Sequence, residues 1–417
     1  MERLKRELGF FELTVLGVSV IIGAGIYSLL GEGIAYAGNT IFLSLLLAAI
    51  PAYFTCSSYV KLAKRVKVAG GEYIFASRVH KQLGFIVGWL LFLGIIFSSA
   101  TVALGFSGYL TQFLNIDLFT GAIIALFFAL LINLSGLKHS FRFLLISNAI
   151  TIFGLILVIA YGVPKFGVVN YFETPNGISG VLGAASLLFF AYLGFETIVR
   201  FSEDSKNPAK DIPKAMFTAI TISMIIYCLV GLSAVSIVNW TELSHSKAPI
   251  AKIIEKNLGP TGFFIITLIA LFATFSTVLF GILSGSRLIL ALARKKLLSK
   301  DFATIDITTG TPKKAMIACA TCVLGALLIN EISLLAELTN FVIYLLFIII
   351  NSLAISENLK EKKNESKIRN NIPITSFLGL VFSIIFLLNL ENKILGAGVA
   401  LIIIGFITFG NMRQRLS

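Results

Sequence analysis

Two glycines and one glutamate have types and settings that suggest chemistry. Gly23 and Gly25 flank Ala24 in GVSVIIGAGIY, residues 17–27, inside an uncharged run from 13 to 31. Glycine in a helix interior costs roughly 0.5–1 kcal/mol relative to alanine and lets the backbone leave helical geometry. In hydrocarbon, such loosened backbone persists only where it faces protein or a water-filled cavity. The stretch therefore fits a binding site made of main chain, or close packing through small residues. Glu196 closes a second stretch, LLFFAYLGFE, residues 187–196, in which Gly194 again loosens the chain. Apolar sequence continues through Ile198 and Val199, so this carboxylate reads as lying inside a span. Intramembrane carboxylates usually mark ion or substrate paths, although a hydrated position at the span's end is the plainer alternative. Glu12 and Glu337 border spans and read as interfacial.

Other chemistry finds little to stand on. The three histidines, His80, His139 and His245, all fall in loops, so no nucleophile–base pair or metal set is evident and an enzyme is not expected. Cys56, Cys228, Cys319 and Cys322 lie in apolar runs; the CxxC at 319–322 reads as small apolar packing rather than redox or metal chemistry. No cofactor is implied.

The elements that must position these residues are transmembrane helices. The chain is 57% hydrophobic and only 13% charged, with a mean hydropathy of +0.93, which no ordinary soluble domain shows. No cleavable leader is expected, because the first apolar run is spanning length and has no small-residue cleavage site behind it. Uncharged runs predict twelve spans, at 13–31, 33–60, 82–116, 118–137, 143–164, 174–195, 215–241, 257–286, 315–330, 338–356, 370–390 and 394–412. With a cytoplasmic N-terminus, all but five of the 34 lysines and arginines fall in cytoplasmic segments. The five outside are Lys165, Lys247, Lys252, Lys256 and Lys393. The net charge of +13 is thus a topology signal, and no nucleic-acid partner is needed to explain it. Both termini are expected in the cytoplasm, with the segment 360–369 inside.

The two loosened stretches sit in the first and sixth spans, which cross in opposite directions. Paired interruptions in corresponding helices of two inverted halves are the sequence pointer to a secondary transporter's site. Where a helix restarts, free N–H groups and the positive end of its dipole receive a carboxylate. Where a helix stops, free carbonyls receive an ammonium. Such a pair grips a zwitterion without any charged side chain.

These stretches resemble signatures of the amino acid–polyamine–organocation superfamily, in particular its cationic-amino-acid-transporter-like branch of permeases. IIGAGIY resembles the first-helix signature IIGxGIF, and FFAYLGFE resembles the sixth-helix motif. The loop at 203–213, EDSKNPAKDIP, resembles the acidic-x-x-x-NP-x-K-x-IP segment, and VAGGEY at 68–73 the Gly-Gly-x-Tyr segment. Motif order and spacing agree across nearly the whole chain. The resemblance implies an all-α integral membrane protein with the leucine-transporter-type five-plus-five inverted repeat. Helices one and six would be broken, with two accessory helices at the C-terminus. The core would span 1–356, with repeats at about 8–164 and 174–356. A cytoplasmic loop at 357–369 and the accessory helices at 370–417 would follow.

The resemblance also implies roles. Main chain at Gly23, Ala24, Gly25 and Ile26 would hold the substrate carboxylate. Carbonyls near Ser19 and Ile22, with those of Phe189, Phe190, Ala191 and Leu193, would hold the amine. Phe190 would be an aromatic gate, and Glu196 would serve proton sensitivity and gating. Trp89, Ser98, Ser99 and Tyr344 are weaker pocket candidates. Some proton-coupled relatives carry a lysine on the fifth helix; here Thr151 stands in its place. Ser19, Ile22, Thr151, Ala273, Ser276 and Thr277 together resemble a sodium site, since hydroxyls and carbonyls are hard oxygen donors. Serine and threonine hydroxyls in membrane helices equally often bond to the preceding turn. Proton coupling, sodium coupling and exchange all remain consistent with the sequence. The expected protein is a multi-pass amino acid permease of the plasma membrane, whose partners are its substrate, a coupling ion and the bilayer. A channel would not need paired breaks, and a sensor on the same fold would carry an added signalling tail.

Overall fold

The computed structural model describes residues 8–65, 71–200, 205–295, 297–306, 309–364 and 373–416. Sixteen α-helices and four short 3-10 turns make up its regular structure. The chain begins with α1 (Phe10–Ile21), α2 (Ala24–Ala37), α3 (Ile41–Arg65), α4 (Gly71–Val79) and α5 (Lys81–Leu110). Next come α6 (Leu118–Leu134), α7 (Leu137–Gly162), α8 (Gly177–Leu188), α9 (Thr197–Arg200), α10 (Pro208–Ile237) and α11 (Trp240–Ser244). The chain closes with α12 (Pro249–Arg294), α13 (Lys313–Leu327), α14 (Ile332–Asn364), α15 (Ile374–Leu388) and α16 (Asn392–Leu416).

Seven stretches are long and apolar enough to cross a membrane: Ala24–Leu62, Lys81–Leu110, Ile146–Lys165, Gly177–Val199, Pro208–Ile237, Pro249–Arg294 and Ile332–Asn358. α15 and α16 qualify together but are bent by 114° at the short break between them. α1 and α6 are apolar and shorter. The chain is therefore an all-α, multi-pass membrane protein. Exposed Phe127, Phe128, Ile156, Ile403 and Ile407 make sense only against lipid, since water would drive them inward.

Helix ends depart from the apolar runs for local reasons. α7 begins at Leu137 and α10 at Pro208, each several residues before its uncharged run. The uncharged run marks only the apolar part of each helix, and the helix continues through the polar sequence before it. Proline at the first position of α10 suits a helix start, where its missing N–H is no loss. Residues 33–37, expected in the second span, instead finish α2, which ends at Gly38 (φ +61°). Gly259 (φ +62°) kinks α12, so its first turns form a separate arm. Residues 68–70 of the VAGGEY segment, 203–204 of the EDSKNPAKDIP segment and 365–369 of the segment 360–369 lie outside the described residues.

The core is built on close helix contact. α5 packs against both α12 and α14, α3 against α10, α1 against α10 and α2 against α8. Before α1, the N–H of Lys206 donates to the Leu8 carbonyl (2.8 Å), tying the chain's start to the approach to α10.

Candidate functional site

Both loosened stretches are breaks in helices. α1 stops at Ile21, Ile22 and Gly23 leave helical geometry (ψ +77° at Ile22; φ −116°, ψ −142° at Gly23), and α2 starts at Ala24. The expected break at 23–25 thus falls one or two residues earlier, and Gly25 belongs to the first turn of α2. α8 tightens into a 3-10 turn over Phe189–Tyr192, Leu193 is extended, and Gly194 takes φ +113° before α9 restarts at Thr197. Only glycine adopts that last conformation without strain.

The two breaks touch. A Cβ on Gly25 would lie 2.6 Å from the Cα of Ala191, so the bare glycine lets α2 meet the turn after α8. A Cβ on Gly194 would lie 2.6 Å from Cγ1 of Val20, which sets the second break against the end of α1. Tyr227 of α10 joins them: its hydroxyl lies 2.9 Å from the Ile21 carbonyl and 3.0 Å from that of Ala191. One hydroxyl thus serves the carbonyls that both interrupted helices release.

Tyr227 is one of five fully buried tyrosines, and all five donate to main-chain carbonyls. Tyr27 reaches Thr151 (2.8 Å), Tyr109 reaches Tyr27 (2.9 Å), Tyr192 reaches Leu45 (2.7 Å) and Tyr344 reaches Ser186 (3.1 Å). The Ile21 and Ala191 carbonyls are released at the breaks and need such a donor where no water reaches, whereas those of Tyr27, Leu45 and Thr151 lie within helices. Asn340 adds two more, its Nδ2 donating to Ser186 (2.7 Å) and Leu187 (2.9 Å) in the last turn of α8.

The first N–H groups of α2 have no partner within the helix, by the geometry of any helix start. The N–H of Ala24 donates to Oγ1 of Thr277 (3.3 Å) on α12, and those of Gly25 and Ile26 follow on the same turn. They form a compact anion-receiving end, strengthened by the helix dipole. Facing it are buried Phe189, Phe190 and Ala191. A cavity of about 490 Å³ runs from the first break along α1 to Phe11, lined by Ser19, Val20, Gly23, Asn148, Thr197, Ser276 and Thr277 among others.

Ser19, Gly23, Ser276 and Thr277 of the sequence candidates therefore meet at one cavity. Ala24, Gly25, Ala191 and Phe190 sit above it in the closed contact between breaks. Glu196 accepts from the Gly194 N–H (3.0 Å), so its carboxylate is folded back on the second break. The Ala273 carbonyl accepts from both Ser276 (2.9 Å) and Thr277 (3.1 Å), and Thr151 donates to Ser147 (2.7 Å). Tyr344 stacks on Phe189, ring centroids 4.5 Å apart, beside the second break. Ser98 and Ser99 donate to the Ile95 carbonyl of their own helix. Trp89 lies elsewhere: its Nε1 donates to the Leu401 carbonyl of α16 (3.0 Å). Tyr227, Asn340 and Asn148 escaped sequence reasoning, because a lone polar residue in an apolar run has no spacing to mark it.

The profile of the amino acid permease family matches residues 8–409. The branched-chain amino acid permease BcaP of Bacillus subtilis is 28% identical over 93% of this chain and 88% of its own length. An uncharacterized protein of Methanocaldococcus jannaschii is 29% identical, covering 98% and 95%. Cationic amino acid transporter 1 of Arabidopsis thaliana is 24% identical, covering 91% and 67%.

Proposed function

The chain belongs to the amino acid permease family, and from that premise we propose that it is a secondary active transporter working by alternating access. The paired helix breaks joined by the Tyr227 hydroxyl carry this reading. The start of α2, from Gly23 to Ile26, receives the substrate carboxylate. Carbonyls of Ser19, Ile22, Phe189, Phe190, Ala191 and Leu193 receive its ammonium. Phe190 closes over the bound molecule, and Glu196 governs the path on the side of the cavity. No charged side chain is required, which suits an α-amino acid held by main chain alone.

The twelve spans form two inverted five-helix repeats and an accessory pair. The packing supports this pairing. Counting α1 with α2, and α8 with α9, as single spans, span one packs on span seven as span six packs on span two. Span three likewise packs on span ten as span eight packs on span five. Each contact maps onto the other when every helix is moved on by five. Both termini face the cytoplasm of a plasma-membrane protein, so the cavity along α1 opens inward.

Coupling to protons is the reading the geometry favours. The Ala273 carbonyl already accepts from Ser276 and Thr277, and the Thr277 oxygen in turn accepts from the Ala24 N–H, so these oxygens are engaged within the protein. Glu196 supplies a titratable group at the second break. Uptake of labelled amino acids into proteoliposomes, with proton and sodium gradients imposed separately, tests both points. Saturable uptake driven by protons is expected. Uptake driven by sodium alone, and lost in Thr277→Ala, would replace proton coupling with the sodium site.

A further inference from the structure

Glu337, at the outer end of its helix, is buried in protein. It stands on the second turn of α14, 7% exposed, and its Oε2 has no hydrogen-bond partner among the described residues. The Oδ1 of Asn340, three residues further on, is equally buried and equally without a partner. A buried acceptor left without a donor costs about 1–3 kcal/mol, and more when charged. Residues three apart on a helix are neighbours on one face. A single proton on Oε2 would turn that oxygen into a donor and offer it to Oδ1, meeting both deficits at once.

Other titratable groups surround the pair. Glu32 and Tyr36 on α2, Glu331 just before α14, Glu391 before α16, and Tyr344 lie within electrostatic reach of this group of residues. Lys393 is the one cation among them, and it is occupied, 2.8 Å from Glu391 and 4.0 Å from Glu331. The Glu391 main-chain N–H reaches the Glu337 carboxylate. α8 and α15 contain no titratable side chain. Tyr109 of α5 is committed to the Tyr27 carbonyl and Tyr192 of the 3-10 turn to the Leu45 carbonyl, while Tyr59 of α3 packs on Phe347 and holds Glu72 of α4, about three turns along α14. Four carboxylates and Lys393 thus gather around this end of α14, and Lys247 lines the cavity that holds Glu32.

We propose that Glu337 is a proton-binding carboxyl whose proton bridges to Asn340 and is thereby read at the broken end of α8. Asn340 is the link. Its Oδ1 takes the proton's hydrogen bond while its Nδ2 holds the carbonyls of Ser186 and Leu187, immediately before the 3-10 turn. Losing the proton removes the donor from Oδ1 and loosens the hold on α8. The site lies on the opposite side of the breaks from the cavity, so it would sample the other compartment. Its role in coupling rests on the transport reading above; its protonation does not.

Infrared spectroscopy of the full-length protein in lipid, without substrate, tests the proton directly. At neutral pH the wild type should show the C=O stretch of a neutral carboxylic acid. That band should be lost in Glu337→Gln, kept in Glu196→Gln, and shifted in frequency in Glu337→Asp. A band unchanged in both Glu337 variants, or absent from the wild type, would overturn the proposal. Should Glu337→Gln not fold, the Glu337→Asp comparison with wild type decides alone. In proteoliposomes, Glu337→Gln should lose the dependence of uptake on pH in the compartment opposite the cavity, while exchange persists. If the wild type moves no amino acid, the transport reading fails while the infrared result still judges the proton site.

Discussion

Gly25 and Tyr227 show what a single residue does at this site. Adding one methyl at Gly25 places it 2.6 Å from the Ala191 Cα, a backbone atom that cannot swing aside. Overpacking of that kind costs about 1–3 kcal/mol, so Gly25→Ala should weaken amino acid binding by about tenfold or more. Equilibrium binding to the purified protein measures it; unchanged affinity would reduce the glycine to a packing feature. Tyr227→Phe strips the donor from two buried carbonyls and should destabilise the protein by about 1–3 kcal/mol, read as a lower melting temperature. The glycines were legible in the sequence as a loosened stretch, and their pairing with Gly194 in the sixth span separated a site from close packing through small residues. Tyr227 and Asn340 were not, because each is one polar residue whose partners lie far along the chain. The burial of Glu337 was not legible either: its closeness to Glu331 suggested water, while the residues before α16 come up against it.

Among the elements, α1 is a short helix that stops where the cavity meets the first break. The cavity beside it contains Ser19 and Gly23, so a cysteine at position 19, with the four native cysteines replaced, should react with an impermeant thiol reagent from the cavity side alone. Substrate should slow that reaction; labelling from the opposite side only would reverse the orientation. Glu196 sits at the matching break, where its carboxylate accepts from Gly194. Glu196→Gln keeps the hydrogen-bonding shape and fixes the neutral form. It should retain binding, flatten the pH profile and slow net uptake more than exchange. A wild-type pH profile and rate would make the carboxylate structural. Where these helices run was visible from apolar runs, but where they end was not. α7 and α10 start well before their uncharged runs, and a kink at Gly259 divides α12, neither of which hydropathy registers.

The whole molecule is a bundle whose strongest packing repeats when each helix is moved on by five, and that repeat brings two breaks to one place. Family and substrate class came from motif order along the chain; the meeting of the breaks came only from the fold, since 166 residues separate Gly25 from Ala191. The charge pattern predicts that cysteines at 245 and 306, on opposite sides of the bundle, label from outside and inside respectively; the reverse result would invert the molecule. The central claim is that the joined breaks grip and carry an amino acid. Counterflow in proteoliposomes tests it most directly: vesicles loaded with an unlabelled amino acid should accumulate the labelled one saturably, and Gly25→Leu, checked for folding, should abolish that accumulation. Accumulation by Gly25→Leu at the wild-type rate would contradict the account.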